Sequence, residues 1–212
     1  MKTTDITITW HGHSCFTLTC DDYSVVLDPF SDGTVPGYGP VRETADEVLC
    51  SHEHGDHNFR DAVKLRRQGR KNPFTVKELL IPHDDAQGTK RGMNLIRIFD
   101  NGRLRVAHFG DIGCPLNEEQ KALLQGLDAV LVPVGGYYTM EPDGIAAMLK
   151  AIAPRVIVPM HYRSESFGYD VIGTLPDFLK LMDSEATYLE GNSFILTGEE
   201  PSGIIVPAYL GK

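Results

Sequence analysis

Residues 51–57 concentrate side chains that bind metal ions. The segment reads SHEHGDH and holds three of the eight histidines of the chain beside a glutamate and an aspartate. Imidazole nitrogens and carboxylate oxygens are ligands of zinc and similar divalent cations. In an extended segment, positions i and i+2 share a side, so His52 and His54 can bind one ion. The glycine that follows permits a sharp turn, which directs Asp56 and His57 to a neighbouring point.

Further candidate ligands come directly after apolar segments that we predict to be strands. His83 ends ELLIPH, Asp111 follows RVAHFG, and His161 ends RVIVPMH. Because loops after strands commonly carry the chemistry of α/β proteins, we expect these three residues to join the 51–57 segment. His108 competes with His83, since it precedes Asp111 by three residues. Its place inside a strand pattern favours a position in the core or beside a ligand.

Several nearby residues have two open interpretations. His13, in WHGHSC, is either a turn histidine or a neighbour of the metal pocket. Tyr137, in GGYYT, follows a strand end and either lines the substrate pocket or packs on its own loop. Asp84 and Asp85 follow His83, and we interpret them as loop carboxylates rather than ligands. For residues 51–57 themselves, the alternative is a solvated polar loop, which the candidate ligands elsewhere in the chain disfavour.

The elements that must position these residues change in character along the chain. Short alternating strands dominate the first part, and the DNG sequence at 100–102 predicts a hairpin. Helical segments then alternate with buried apolar strands. The predicted helices are 58–68, 117–127, 141–154 and 175–182. This pattern predicts a mixed α/β protein in which helices cover sheets.

Composition limits the class of protein and its partners. A length of 212 residues fits a single domain over 1–212. The net charge of −9 makes nucleic acid an unfavourable main partner, because phosphate binding depends on clustered Lys and Arg. No apolar stretch approaches the length of a membrane span, and the N-terminus has no secretory signal pattern. We therefore expect a cytoplasmic protein without a membrane partner, whose four cysteines are reduced thiols.

The sequence resembles a known superfamily through a series of ordered motifs. SHEHGDH resembles the H-x-H-x-D-H signature of the metallo-β-lactamase fold superfamily. WHGHSCF, LDPF, PHDD, AHFGDIG, PVGGYYT and PMHY occur in the order seen in a branch of small, single-domain hydrolases of that superfamily. The resemblance implies a four-layer αββα sandwich, with two mixed sheets flanked by helices and a two-metal site at their edge.

The resemblance also implies a set of ligands in two groups. The groups are His52, His54 and His83 for the first ion, Asp56, His57 and His161 for the second, and Asp111 as the bridge. Asp28, in VVLDPF, resembles an aspartate that orients a ligand rather than binding metal. The branch commonly has histidine where Cys114 stands. A thiolate there would be a zinc ligand, and a small turn residue is the alternative.

These residues together indicate a metal-dependent hydrolase with two divalent ions. The ligands suit Zn²⁺ best, although Mn²⁺ or Fe²⁺ would fit them. The ions would share a water and lower its pKa toward neutrality, so that hydroxide attacks a small ester, lactone or phosphodiester. Asp56 and His57 are the candidate catalytic residues, and Asp56 would orient the nucleophile and accept its proton.

His54 stands where oxygen-reducing diiron members of the superfamily usually have glutamate, which favours hydrolysis over redox chemistry.

Two other functions compete with this prediction. A non-catalytic metal-binding or regulatory module on the same scaffold is one alternative, although seven ligands exceed the four of a structural zinc site. A metal-dependent nuclease is the other, and it would bind RNA or DNA in a strongly salt-dependent way.

Overall fold

A computed structural model describes residues 4–67 and 70–211, which form fourteen strands and three α-helices. The strands are β1 (Ile6–Gly12), β2 (Cys15–Cys20), β3 (Tyr23–Leu27), β4 (Glu43–Ala45), β5 (Glu47–Leu49), β6 (Val63–Leu65), β7 (Thr75–Pro82), β8 (Met93–Asp100), β9 (Arg105–His108), β10 (Ala129–Pro133), β11 (Val156–Met160), β12 (Ala186–Tyr188), β13 (Ser193–Leu196) and β14 (Gly203–Val206). The helices are α1 (Glu118–Leu124), α2 (Pro142–Ile152) and α3 (Leu175–Met182).

The described strands form two mixed sheets and one small parallel pair. The five-stranded sheet has the order β13-β1-β2-β3-β5, and the seven-stranded sheet has the order β12-β14-β11-β10-β9-β8-β7. In the first sheet, β5 is parallel to β3 while the other neighbours are antiparallel. In the second sheet, β8 pairs antiparallel with both β7 and β9. The other neighbours are parallel: β9 with β10, β10 with β11, β11 with β14 and β14 with β12. The predicted α/β class with two mixed sheets is confirmed.

The three helices begin at residues suited to that position. Asn117 caps α1 with a reciprocal capping box, in which its side chain and that of Gln120 bind each other's backbone amides. Pro142 opens α2, and the side chain of Thr174 caps α3. Each helix lies in the connection between strands of the seven-stranded sheet. The helices predicted at 117–127, 141–154 and 175–182 are therefore confirmed, with shorter bounds.

The helix predicted at 58–68 is wrong. Its described residues form one 3₁₀ turn, Arg60–Ala62, and then β6, which pairs in parallel with β4. Val63 is buried while the two residues after it are exposed, and Arg66 forms a 2.6 Å ion pair with Asp46. The ladder with β4 and this ion pair hold the segment extended, so tertiary pairing overrides the helical spacing. Gln68 lies outside the described residues.

Buried apolar side chains of both sheets form one contiguous core. It includes Ile8, Phe16 and Leu18 from the first sheet, and Ile98, Val106, Leu131 and Val158 from the second. Polar residues gather where several strands end: Asp28 after β3, Ser51 after β5, His83 after β7, Asp111 after β9 and His161 after β11. Within the described ranges no helix is long and apolar enough to cross a membrane.

Candidate metal centre

Two groups of potential ligands lie side by side at this edge of the sheets. In the first, His52, His54 and His83 each offer a nitrogen within 4.8 Å of the others. In the second, a nitrogen each of His13, His57 and His161 and a carboxylate oxygen of Asp56 lie within 4.8 Å of one another. The structure thus brings together the residues of each predicted group, and it adds His13 to the second.

Asp111 lies between the two groups. Its Oδ2 atom is 3.4 Å from Nε2 of His83, which belongs to the first group. The same oxygen is 3.3 Å from Nε2 of His57 and 3.3 Å from Nε2 of His161, which belong to the second. One buried carboxylate therefore faces both groups, as the resemblance implies for a bridging ligand.

The position of Asp111 is fixed by the backbone around it. Its amide donates to Oδ1 of Asn94 at 2.9 Å, and Nδ2 of Asn94 donates to the carbonyl of Phe109 at 2.8 Å. Gly110 has φ +51°, and a Cβ there would lie 2.2 Å from Oδ1 of Asn94 and 2.5 Å from Cβ of Ser51. Only glycine fits this close approach, which brings Asp111 to the end of β9.

The buried atoms that face the centre fit divalent cations. Nε2 of His52, Nε2 of His57, both ring nitrogens of His161 and Oδ1 of Asp111 are buried without a hydrogen-bond partner among the described residues. Buried polar groups are normally paired, so such a concentration needs an explanation. Imidazole nitrogens beside a carboxylate are the donor set of zinc and related ions, which would satisfy these unpaired atoms.

Charge coupling keeps the two carboxylates ionised. Burial alone would raise the pKa of Asp111, but His161 and His57 lower it well below its usual range. Burial opposes ionisation of Asp56 in the same way, and His57 lowers its pKa. Burial would lower the pKa of His57, yet the charges of Asp111 and Asp56 raise it well above its usual value. In the metal-free protein His57 is therefore protonated, and cation binding must release that proton.

The remaining histidines with shifted pKa values are neutral. Burial, followed by the charge of His57, lowers the pKa of His52 to about 3. Burial also lowers the pKa of His83, and burial together with His161 lowers that of His13 to about 4. A neutral imidazole has a lone pair available for a metal ion, so these residues need no deprotonation before they bind.

Asp28 belongs to neither of these two groups but forms a third cluster with His52 and His57, in which its oxygens orient the histidines. Its Oδ1 accepts from the Ser51 amide at 2.6 Å, and its Oδ2 accepts from the Ser51 hydroxyl at 2.5 Å and from Nδ1 of His57 at 2.8 Å. Because the Ser51 hydroxyl donates to Asp28, it accepts from Nδ1 of His52, 2.9 Å away. Both histidines then direct Nε2 toward the centre, which is the role that the resemblance implies for Asp28.

Replacing Asp28 with asparagine should weaken the metal site. The amide leaves at least one of the three donors unpaired and releases the tautomers of His52 and His57. We expect metal affinity to fall about 10- to 100-fold, the usual cost of losing an orienting partner. Unfolding of the metal-free variant should need about 3–5 kcal/mol less free energy, as when one partner of a buried ion pair is lost. Chelator competition and urea unfolding measure the two effects.

The stability loss of this variant should depend on pH in a defined direction. Burial would raise the pKa of Asp28, but His108, His57 and the hydrogen bond from Ser51 lower it from 3.8 to about 2. A lowered pKa stabilises the fold above 3.8, and this contribution disappears as the pH falls through 2. The difference in the free energy of unfolding between wild type and Asp28→Asn should therefore narrow as the pH falls from 3.8 to about 2. The surface variant Asp22→Asn is the control. A difference that stays the same at every pH would contradict the role of the ionised Asp28 carboxylate.

His108 does not contact either ligand group. Its Nε2 donates to the Ser14 carbonyl at 2.9 Å, and its Nδ1 accepts from the Gly110 amide at 3.2 Å. Both ring nitrogens are thus used within the fold, and burial lowers the pKa of the ring. His83 is the residue that joins His52 and His54. His108 supports the turn that presents Asp111, in accord with the position beside a ligand that its strand pattern suggests.

Cys114 and the two aspartates after His83 lie outside the ligand groups that the described residues form. Burial, with a contribution from Asp84, raises the pKa of the Cys114 thiol and so disfavours the thiolate. Asp84 binds backbone amides of its own loop, and Asp85 pairs with Lys90 at 2.7 Å. Both aspartates are loop carboxylates, as interpreted from the sequence.

Three residues of the site have backbone conformations that side chains rarely adopt. His13, Asp28 and His161 have φ values of 49°, 46° and 52°. Positive φ in a residue other than glycine is uncommon and costs free energy, and it concentrates at functional sites. His13 lies 3.3 Å from Oδ2 of Asp56 through its Nε2 and has its ring centroid 4.1 Å from that of His161. Backbone strain is therefore concentrated at His13, Asp28 and His161, which follow the ends of three strands and help to form the centre.

A cavity of about 350 Å³ opens over the two groups. It is lined by His54, Asp56, His83, Arg91, Asp111, Tyr138 and Tyr169. Tyr138 lines this cavity, whereas its neighbour Tyr137 is 55% exposed and lines an adjacent one. Burial and the charge of Asp56 raise the pKa of Tyr169 well above its usual value, so it stays a neutral phenol. Sequence reasoning missed Arg91 and Tyr169, which lie in loops without a periodic pattern.

Comparison with known proteins identifies the family. The sequence profile of the β-lactamase superfamily domain matches residues 7–161, which include every predicted ligand. The chain belongs to the metallo-β-lactamase superfamily. The UPF0173 metal-dependent hydrolase of Thermoplasma acidophilum is similar to this chain, with 30% identity over 87% of this chain and 94% of its own length. That of Thermus thermophilus is 27% identical over 75% and 84%.

Similarity to a solved structure supports the superfamily assignment at the level of the fold. A metallo-β-lactamase superfamily protein from Thermotoga maritima is 30% identical, with a TM-score of 0.74 over 95% of this chain and 97% of that one. The predicted fold and family are confirmed. These relatives and the clustered histidines and aspartates together identify the chain as a metal-dependent hydrolase of the metallo-β-lactamase superfamily.

Proposed function

We propose that this protein hydrolyses a small ester, lactone or phosphodiester at a centre of two divalent cations, with Zn²⁺ as the best match. The position of Asp111 carries the proposal, because one carboxylate oxygen lies 3.3–3.4 Å from histidines of both ligand groups. The name of the Thermotoga maritima protein proposes a Zn-dependent hydrolase, which supports zinc as the ion.

The ligands divide as the two groups do. His52, His54 and His83 would hold one cation, Asp56, His57 and His161 the other, and Asp111 both. When bound, the cations supply Lewis acidity, which polarises the scissile bond and lowers the pKa of a water molecule. Asp56 is ionised and lines the cavity, where it orients the attacking water and accepts its proton. Nε2 of His13, 3.3 Å from Oδ2 of Asp56, restrains that carboxylate.

The size and surroundings of the cavity favour a small metabolite. A volume of about 350 Å³ lies at the low end of ligand pockets, which span about 300–1,000 Å³. The net charge of −9 disfavours a polyanion such as RNA. We accordingly propose a small-molecule substrate, and the cytoplasmic location stays a prediction from the sequence.

A metal-reconstituted activity screen tests this function. The protein is loaded with Zn²⁺, Mn²⁺ or Fe²⁺, its metal content is measured, and panels of esters, lactones, thioesters and phosphodiesters are assayed. We expect two ions per chain and turnover of one panel, with Asp56→Asn as the inactive blank. Two bound ions without turnover on any panel would instead favour a non-catalytic metal-binding module. Strongly salt-dependent binding of RNA or DNA would favour a nuclease.

A further inference from the structure

Arg91 brings a positive charge into the cavity of the candidate metal centre. It is half-buried, and its guanidinium carbon lies 5.5 Å from the ring centroid of Tyr138. Within residues 4–67 and 70–211, no carboxylate lies within ion-pair distance of it. Eight other arginines of those ranges, in contrast, pair with aspartate or glutamate: Arg42, Arg60, Arg66, Arg70, Arg97, Arg103, Arg105 and Arg155.

The loop that carries Arg91 is built on the metal ligand His83. Oδ1 of Asp84 accepts from the amides of residues 86 and 88 at 2.8 Å each. Its Oδ2 accepts from the amides of Lys90 at 2.9 Å and Arg91 at 2.7 Å. The His83 amide donates to the carbonyl of Gly92 at 3.0 Å and closes the loop. The backbone of Arg91 is therefore fixed relative to the ligand groups.

The charges that line the cavity leave room for an anion. Arg91 is the sole arginine or lysine among the lining residues, and Asp56 and Asp111 are the carboxylates. Two divalent cations would more than neutralise both carboxylates, so the loaded cavity is positive. A guanidinium binds carboxylate and phosphate oxygens through paired hydrogen bonds, and that of Arg91, which has no carboxylate partner among the described residues, is available for this purpose. The rings of Tyr138 and Tyr169, with centroids 5.7 Å apart, add an apolar surface beside it.

We propose that the substrate carries an oxyanion, a carboxylate or a phosphate, which Arg91 binds while Tyr138 and Tyr169 contact its apolar part. This inference rests on the proposed hydrolase function and specifies its substrate class. It makes Arg91 a determinant of specificity that acts on a substrate group away from the bond being cleaved.

A pair of esters with the same leaving group tests the inference. The zinc-loaded protein is assayed with p-nitrophenyl butyrate, which is neutral, and with mono-p-nitrophenyl succinate, which is anionic. For Arg91→Gln we expect kcat/KM on the anionic ester to fall about 10- to 100-fold, the scale of a lost charged hydrogen bond. The neutral ester should change less than about 2-fold, and Arg91→Lys should recover part of the loss. Equal losses on both esters would overturn the inference.

Lys90→Gln is the matched control. It removes one positive charge from the same loop, but Lys90 is exposed and pairs with Asp85. Its kcat/KM on both esters should equal that of the wild type. A loss like that of Arg91→Gln would assign the effect to the overall charge of the loop and contradict a specific role for Arg91.

A binding measurement separates this inference from the proposed activity. Inorganic phosphate and succinate are titrated calorimetrically into the zinc-loaded wild type and Arg91→Gln. We expect affinity for at least one anion to fall about 10- to 100-fold in the variant, and the affected anion identifies phosphate or carboxylate as the group bound. Arg91-dependent binding without any esterase, lactonase or diesterase turnover would uphold the anion site and reject the hydrolase proposal. Absent binding, or equal affinities in both proteins, would overturn the anion site even if the protein hydrolyses esters.

Discussion

Asp111→Asn should remove bound metal and lower kcat/KM by at least about 10³-fold, beyond the 10- to 100-fold typical of lost orienting partners. The side chain keeps its shape in this variant, but the negative charge between the two ligand groups disappears. Oδ2 of Asp111 lies 3.3–3.4 Å from Nε2 of three histidines, so the lost charge affects both cations together. Metal analysis after dialysis, and titration with a chromophoric chelator, measure the loss directly.

The control for Asp111→Asn is Asp128→Asn. Asp128 binds the Arg105 amide at 2.8 Å at the start of β10 and lies outside the ligand groups of the described residues. It should retain metal and activity. If Asp111→Asn still bound two cations with unchanged affinity, the carboxylate would not bridge the groups. Loss of a single cation would assign Asp111 to one group alone.

Asp56→Asn should reduce kcat by about 10²- to 10⁴-fold, the range that a positioned proton acceptor contributes. Asp56 lines the cavity, and its side chain is 18% exposed. His57 lowers its pKa, so at neutral pH it is a carboxylate that can accept a proton, whereas the amide of asparagine cannot. Steady-state kinetics on the substrate found in the screen, with metal content measured in parallel, separate the loss of chemistry from the loss of an ion.

Asp61→Asn is the matched control for this variant, because it makes the same exchange at an exposed position five residues further along the chain. It should leave kcat and metal content unchanged. An Asp56→Asn protein with two cations and wild-type turnover would contradict the role of Asp56. Equal falls in kcat and KM, which leave kcat/KM unchanged, would also contradict this role. They would indicate a change in how the substrate is bound rather than in the proton transfer.

The ligand groups could be predicted from sequence because local rules place most of their members. His52 and His54 are two residues apart, and His83, Asp111 and His161 each end a segment with a clear strand pattern. Ends of neighbouring strands meet at one edge of a sheet, so these residues converge once the strands are assigned. The family motifs then supplied the grouping that spacing alone left open.

Other parts depended on pairing between distant segments, which no local pattern records. The spacing of Phe59 and Val63 suits a helix, yet Val63 begins a strand because β4 lies beside it. The four residues of β13 are too few to show an alternating pattern, and they are extended because they pair with the antiparallel strand β1. Arg91 and Tyr169 likewise enter the cavity from loops whose paths are set by tertiary contacts. For His13 the sequence left two interpretations open, and its proximity to Asp56 and His161 decides between them.

The turn closed by Asp84 affects how this enzyme can diversify. The Asp84 carboxylate accepts hydrogen bonds from the amides of four later residues, so those residues are held through their backbone rather than through their own side chains. Residues 85, 89 and 90 are exposed and can mutate without displacing His83. Gln87 is constrained by its φ of 57°, and Gly88 is constrained because a Cβ there would lie 2.8 Å from the Gly92 carbonyl oxygen. A mutational library confined to residues 85, 89 and 90 should therefore yield mostly folded, metal-competent proteins, and it is a practical starting point for directed evolution of new substrate ranges.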